Sequence, residues 1–178
     1  MSAPVNAPTT EQRLSSFAGL SPEQIAVLAR AFTTRDLQPG EALLTEGVAS
    51  EALFLLHRGE LDVSVGDAAA SVELGQIPEG VVFGEVSFID DGPATATVKA
   101  RTPATVLSLS RASLASLRCD HPRIATAILR TAATSLATRV RLASDRLDKL
   151  TLGDAASEAP RTGFLGALRS LFGTGKAG

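Results

Sequence analysis

Short strand-like segments separated by turns follow one another through the middle of the chain, and this rhythm limits the possible folds more than any other feature. Turn-forming residues stand together at 39–40, 46–47, 66–67 and 102–103, where they break regular structure. The segments between them lie about eight to twelve residues apart. They are 42–45, 53–57, 61–65, a segment starting at 71, 97–101 and 105–109. The spacing predicts a β-sandwich or a β-barrel, here of jelly-roll type, and we expect a jelly-roll β-barrel of about eight strands in total.

Two of the breaks also predict which strands are neighbours. Arg58-Gly59-Glu60 indicates a tight hairpin between the segments 53–57 and 61–65, because glycine readily takes the backbone conformations of short turns. The break at 102–103 similarly indicates that the last two segments form the final strand pair.

Helices are predicted on both sides of the strands, so the fold class is α+β. Ser21 is suited to cap a helix, and Pro22 suits the first helical position. Gln24 stands at the position where a capping box has Glu or Gln. Leu14 and Phe17 suggest a shorter helix packed beside it. The apolar face of the capped helix consists of Ile25, Leu28, Ala29 and Phe32. After Ser110 the pattern is helical again, with a break at 120–122.

The longest predicted helix follows that break and carries a heptad repeat. Its apolar residues alternate steps of four and three, which is typical of a helix that pairs with its own copy. This seam consists of Leu129, Ala133, Leu136, Val140, Ala143, Leu147 and Leu150. We therefore predict a homodimer; the alternative is that the same face packs on the β-domain.

A second amphipathic segment lies near the end of the chain. Residues 151–162 form a polar linker, and the apolar residues of 163–173 fall on one side of a short helix. They are Phe164, Leu165, Leu168, Leu171 and Phe172. A peptide this short is unstable alone, so we expect it to dock on another protein. Membrane-surface contact is less favoured because Arg161, Arg169 and Lys176 are few cations; packing on its own domain is the third alternative.

Composition narrows the function classes. The net charge of −2 gives no reason to expect nucleic-acid binding. Cys119 is the only cysteine, and the two histidines, His57 and His121, lie in separate elements, so we predict neither a metal site nor an enzyme. No span of about 18 to 20 apolar residues occurs, and the small, polar residues 1–10 form a lead-in rather than a secretory signal. A cytoplasmic protein is expected.

Residues 83–100 carry a more specific signal. They read Phe-Gly-Glu-Val-Ser-Phe-Ile-Asp-Asp-Gly-Pro-Ala-Thr-Ala-Thr-Val-Lys-Ala, which resembles the phosphate-binding cassette of the cyclic nucleotide-binding domain family. Gln38-Pro39-Gly40-Glu41, Glu46-Gly47 and the run 53–60 resemble the first turns and an early strand connection of that family. The resemblance covers residues 14–150 and implies one domain over 11–150, with its helix ahead of the barrel and two helices after it.

The resemblance also implies a ligand site in the cassette. In the family, Gly84 would let a ribose phosphate approach closely, Glu85 would accept a hydrogen bond from the ribose 2′-hydroxyl, and Thr95 would contact the phosphate. An arginine is expected where this chain has Ala94. The candidate site consists of Phe83, Gly84, Glu85, Val86, Ala94, Thr95 and Ala96.

Ala94 makes tight binding of cAMP or cGMP unfavourable. A hydrogen bond to a charged group contributes roughly 1.5 to 3 kcal/mol, so losing the arginine should weaken binding about tenfold to several hundredfold. Asp90 and Asp91 add negative charge to the same loop. No cofactor is therefore predicted.

The sequence thus predicts a bacterial-type regulator without the DNA-binding module that usually carries the output of such proteins. The 28 residues after Leu150 hold no second helix with a recognition pattern, so we do not expect direct DNA binding. We predict a non-enzymatic regulatory or scaffold protein, an adaptor acting through protein contacts. The alternative is a ligand-gated sensor that binds cAMP, cGMP or another small molecule and signals to a partner protein.

Overall fold

The computed structural model of the protein describes residues 8–15, 17, 19–66 and 70–154, with side-chain surroundings up to residue 144. The helices in these ranges are α1 (Thr10–Leu14), α2 (Pro22–Ala31), α3 (Glu85–Asp90), α4 (Arg111–Asp120) and α5 (Pro122–Asp154). The strands are β1 (Thr33–Leu37), β2 (Ala42–Leu44), β3 (Ala52–Arg58), β4 (Leu61–Val65), β5 (Val72–Ile77), β6 (Val82–Phe83), β7 (Thr97–Ala100) and β8 (Ala104–Ser110).

The strands form two four-stranded antiparallel sheets. Their orders are β1-β8-β3-β6 and β2-β7-β4-β5. The predicted α+β class with its jelly-roll arrangement of about eight strands is confirmed. Strand β6, which has only two residues, was not predicted because it is too short to show an alternating pattern.

Both predicted strand pairings across breaks are wrong. Strand β3 pairs with β6 and β8, whereas β4 pairs with β5 and β7, so the break at 58–60 connects the two sheets instead of closing a hairpin. The break at 102–103 likewise takes the chain from β7 in one sheet to β8 in the other. Turn residues reveal where a chain changes direction, but the choice of partner strand depends on distant residues.

The two sheet-changing connections lie side by side and brace each other. Arg101 donates its backbone N–H to the carbonyl of Glu60 at 2.9 Å, and Glu60 donates to the Thr102 hydroxyl at 3.1 Å. Gly59 has a φ of +98°, and a Cβ there would lie 2.7 Å from the backbone of Ala104. Glycine is required at this corner by its dihedral angle and by the close backbone.

The predicted start of α2 is confirmed. Ser21 donates its backbone N–H to the Gln24 side chain at 2.9 Å, and the Ser21 hydroxyl accepts from the Gln24 backbone at 3.4 Å. Pro22 is the first helical residue. The shorter helix is α1, which ends at the buried Leu14, so Phe17 follows the helix and is itself buried.

Strand β3 separates two apolar clusters. Leu53 and Leu55 belong to a cluster shared with the helices, while Phe54 and Leu56 belong to one between the sheets. This alternation is the period of two residues expected for a strand covered on both faces. The Phe54 and Phe83 rings stack between the sheets, with centroids 5.5 Å apart.

The long helix begins at Pro122, directly after the predicted break at 120–122. It ends at Asp154, so the predicted linker is helical in its first residues. Its buried side chains up to residue 132 are Ile124, Ala125, Ala127, Ile128 and Ala132. None of these belongs to the heptad seam, so the seam is not the face that covers the β-domain there.

The seam residues are mostly exposed where they are described. Leu129 is 40% exposed and Val140 is 61% exposed; Ala133 and Ala143 are also exposed, and Leu136 is half-buried. The chain divides after Ser135 into two compact units. The side chains of the seam residues Leu147 and Leu150 lie outside the described residues, and so does the predicted helix 163–173. Within the described ranges, no helix combines the length and apolar character needed to cross a membrane.

The sheet-changing corner can be tested by adding one methyl group. Gly40→Ala places a Cβ in open space at a φ of +84°, so we expect a loss of about 1 to 2 kcal/mol from the dihedral angle alone. Gly59→Ala adds a clash with fixed backbone, which should cost about 1 to 3 kcal/mol more. Urea unfolding measures both variants, and equal losses would contradict this account of the corner.

Candidate functional site

The cassette begins where β6 passes into α3. Phe83 is buried at the end of β6, and Gly84 caps α3 with a φ of +77°. A Cβ on Gly84 would lie 3.0 Å from the Phe54 ring and 3.3 Å from the Ala52 carbonyl oxygen. Glycine is therefore needed here for the turn and for the close approach to β3.

Glu85 is the first residue of α3 and is fully buried. The hydroxyl of Ser135 on α5 lies 3.4 Å from Glu85 Oε1 and 3.3 Å from the carbonyl oxygen of Val82. Buried carboxylates need hydrogen-bond donors, and this serine supplies one. Its hydroxyl thus connects the start of the cassette helix to the C-terminal helix.

Ala94 occupies a buried, apolar position. It is 5% exposed and belongs to the cluster between the sheets, together with Phe83. Its backbone N–H donates to Val48 at 2.9 Å, and its carbonyl accepts from Gly47 at 2.8 Å. The position at which the family resemblance implies an arginine is therefore inside the domain and carries only a methyl group.

The other predicted cassette residues are more accessible. Val86 and Ala96 are half-buried, and Thr95 is exposed. Lys99 on β7 is also exposed. The roles of Thr95 and Glu85 toward a ligand stay predictions.

Arg111 contacts the cassette, which the sequence did not predict. Its guanidinium group, at the start of α4, pairs with the Asp91 carboxylate and donates to the Ser87 carbonyl oxygen. Asp90 accepts a hydrogen bond from the Gly92 backbone at 2.8 Å. Both acids of the loop thus have partners within the protein, and some of their charge is offset by Arg111. Arg111 lies 20 or more residues from these partners, so no local pattern indicates the contact.

A concave surface lies at the sheet-changing corner, apart from the cassette. This groove has a volume of about 700 Å³, and its lining includes the acids Asp36, Glu60 and Glu79. Each acid already has a partner: Asp36 accepts from Thr105 at 2.8 Å, Glu60 lies 3.7 Å from Arg101, and Glu79 accepts from Gly59 at 3.0 Å. The groove therefore offers no uncommitted carboxylate for a ligand.

The histidines are not brought together. His57 lies at the end of β3, where burial first and the Arg13 cation second lower the pKa of its imidazole. His121 is exposed between α4 and α5. Among the described residues, no group of three or more histidine, cysteine or acidic residues is placed to hold a metal ion.

Comparison with known proteins identifies the domain. A family model for the cyclic nucleotide-binding domain matches residues 34–121. These residues belong to the cyclic nucleotide-binding domain family. The matched segment contains the whole cassette and the Ala94 position, together with Arg111.

Two relatives place this domain in different contexts. Glutaminase 1 of Bradyrhizobium diazoefficiens is 33% identical over 133 residues, covering 75% of this chain but only 21% of the glutaminase. The chain therefore spans about a fifth of that relative's length. The CRP-like cAMP-activated global transcriptional regulator of Mycobacterium tuberculosis is 28% identical over 169 residues, covering 93% of this chain and 72% of the regulator.

A solved structure supports the fold. The cyclic nucleotide-binding domain from Methylobacillus flagellatus KT superposes with a TM-score of 0.72 at 22% identity, covering 85% of this chain and 86% of that one. At this identity the likeness shows the fold alone.

Proposed function

We propose that the protein is a regulatory or scaffold module that acts through protein contacts and whose cassette does not take a cyclic nucleotide. The observation that carries this proposal is Ala94, because its buried position holds a methyl group where a phosphate would need a cation. The neighbouring Glu85 is a buried acidic residue, which adds nothing that would attract an anionic ligand.

Two cations in the described part of the chain, Arg111 and Lys99, are poor substitutes for the missing one. Arg111 is engaged by Asp91 and Ser87, and Lys99 is exposed on β7. The short helix and its glycine cap supply backbone N–H groups that favour an anion. Without a charge-assisted pair these groups alone are a weak basis for binding a cyclic phosphate.

A ligand-gated sensor is the second candidate. The turn at Gly84 and the buried Glu85 keep the shape of a cassette, and the mycobacterial relative is described as cAMP-activated. In this alternative the cassette binds a cyclic nucleotide or another small molecule and passes the signal to a partner protein.

Calorimetry with cAMP and cGMP separates the two candidates. We expect no measurable binding by the wild-type protein, and tighter binding by Ala94→Arg of about tenfold or more, because a charged hydrogen bond contributes roughly 1.5 to 3 kcal/mol. Ser116→Arg is the matched control, since it adds the same charge at an exposed residue of α4 that lies outside the cassette. Micromolar binding by the wild-type protein that Glu85→Ala abolishes would establish the sensor and exclude the first candidate.

We further propose that the protein is a homodimer through the heptad seam. Val140 is 61% exposed within one chain, and an apolar side chain repeated along a helix at heptad spacing is buried most effectively by a second copy. The protein partner is assigned to the predicted segment 163–173, which rests on sequence alone. Direct DNA binding is not part of the proposal.

The seam is tested by comparing two substitutions of equal charge change. Val140→Glu should convert the dimer to a monomer, because it places a carboxylate within the apolar seam. Arg141→Gln changes the net charge by the same amount at the adjacent exposed residue and should leave the dimer intact. Sedimentation velocity distinguishes the species; a monomeric wild-type protein, or a dimer that survives Val140→Glu, would refute the seam.

A further inference from the structure

The cassette helix α3 is fastened to the C-terminal helices at both of its ends. At its N-terminal end, the Ser135 hydroxyl of α5 contacts Glu85 and the Val82 carbonyl. At its C-terminal end, the Arg111 side chain of α4 contacts Ser87 and Asp91. Both contacts are made by side chains of this chain and need no ligand.

The middle of α3 is held by apolar packing. Phe88 is 5% exposed and belongs to the apolar cluster that contains Leu117 of α4 and Ile124 and Ile128 of α5. Phe88 therefore joins α3 to the same apolar cluster as these two helices. The polar contacts at its ends then restrict how α3 can rotate or slide on that cluster.

Arg111 is well suited to hold the end of a helix. The last carbonyl groups of a helix have no partner within it and carry partial negative charge, and the guanidinium binds one of these carbonyls together with the Asp91 carboxylate. Its own backbone N–H donates to Glu51 at 3.1 Å. Asp91 has a φ of +62°, a conformation that a non-glycine residue adopts at some cost, and the ion pair helps to offset that cost.

Ser135 acts on the opposite end through a buried acid. Glu85 is fully buried, so each hydrogen bond it accepts is made in a poorly solvated setting where electrostatic contacts are stronger. A ligand that used Glu85 Oε1 would compete with the Ser135 hydroxyl for that oxygen. Binding at the cassette would then alter the contact with α5.

We propose that Arg111 and Ser135 are positioning residues that keep the cassette ordered against α4 and α5 in the absence of any ligand. They fasten a cassette that lacks its phosphate cation, so the cassette keeps its position on α4 and on the part of α5 up to Ser135 without a nucleotide. The inference rests on the proposed function only for its biological meaning, because the contacts can be tested with no nucleotide present.

Hydrogen–deuterium exchange of the full-length, ligand-free protein tests the proposal. We expect Arg111→Gln and Ser135→Ala to speed amide exchange in peptides covering residues 84–91 by about tenfold, because each removes a hydrogen bond to a charged group. Ser135→Thr keeps the hydroxyl and should restore slow exchange. Arg111→Lys keeps the charge but not the forked contact of the guanidinium group, so its exchange rate in 84–91 should lie between those of the wild type and Arg111→Gln.

Two control variants lack a contact with the cassette. Arg118→Gln removes an exposed cation from α4, and Thr131→Ala removes a hydroxyl that bonds within α5, to Ala127 at 3.0 Å. Both should leave exchange in 84–91 within about twofold of wild type, well below the tenfold effect of losing a charged hydrogen bond.

The alternative outcomes are decisive. Unchanged exchange in 84–91 for both Arg111→Gln and Ser135→Ala would overturn the proposal, and so would a uniform increase in every peptide, which indicates general destabilisation. If Arg111→Gln does not fold, Arg111→Lys replaces it and must still show faster exchange confined to 84–91. None of these results depends on nucleotide binding, so failure here and failure of the proposed function are distinguishable.

Discussion

The two-sided burial of β3 is the constraint on which the rest of the structure depends. Its alternating residues face either the helices or the space between the sheets, so the strand fixes both cores at once. The cassette turn is then placed by contact with the same strand, since Gly84 lies against Phe54 and Ala52. Substitution of a large apolar residue in β3 would therefore affect the core and the cassette together.

The effect of lacking a cation at residue 94 depends on the surroundings of that position. Ala94 lies in the apolar cluster between the sheets, so this position fits a small side chain without leaving a buried cation to be satisfied. The domain has thereby kept the turn at Gly84 and the buried Glu85 while presenting no charge for a phosphate at residue 94. The contacts of Arg111 and Ser135 offer a physical reason why such a cassette keeps its form.

Features set by neighbouring residues could be predicted from the sequence, and features set by distant ones could not. The cap at Ser21 and the break before Pro122 both follow from local chemistry. The assignment of β3 and β4 to different sheets depends on pairing with β8 and β7, which are more than 30 residues away. Ser135 is 50 residues from Glu85. It does not belong to the heptad seam, which is the pattern that the sequence shows in this helix.

The most direct test of the central claim is a crystal structure of the full-length protein grown with millimolar cAMP. This account predicts an empty cassette, with the Arg111 guanidinium on Asp91 and Ser87 and the Ser135 hydroxyl on Glu85. Electron density for a nucleotide, with its ribose on Glu85 and its phosphate beside Thr95, would contradict it.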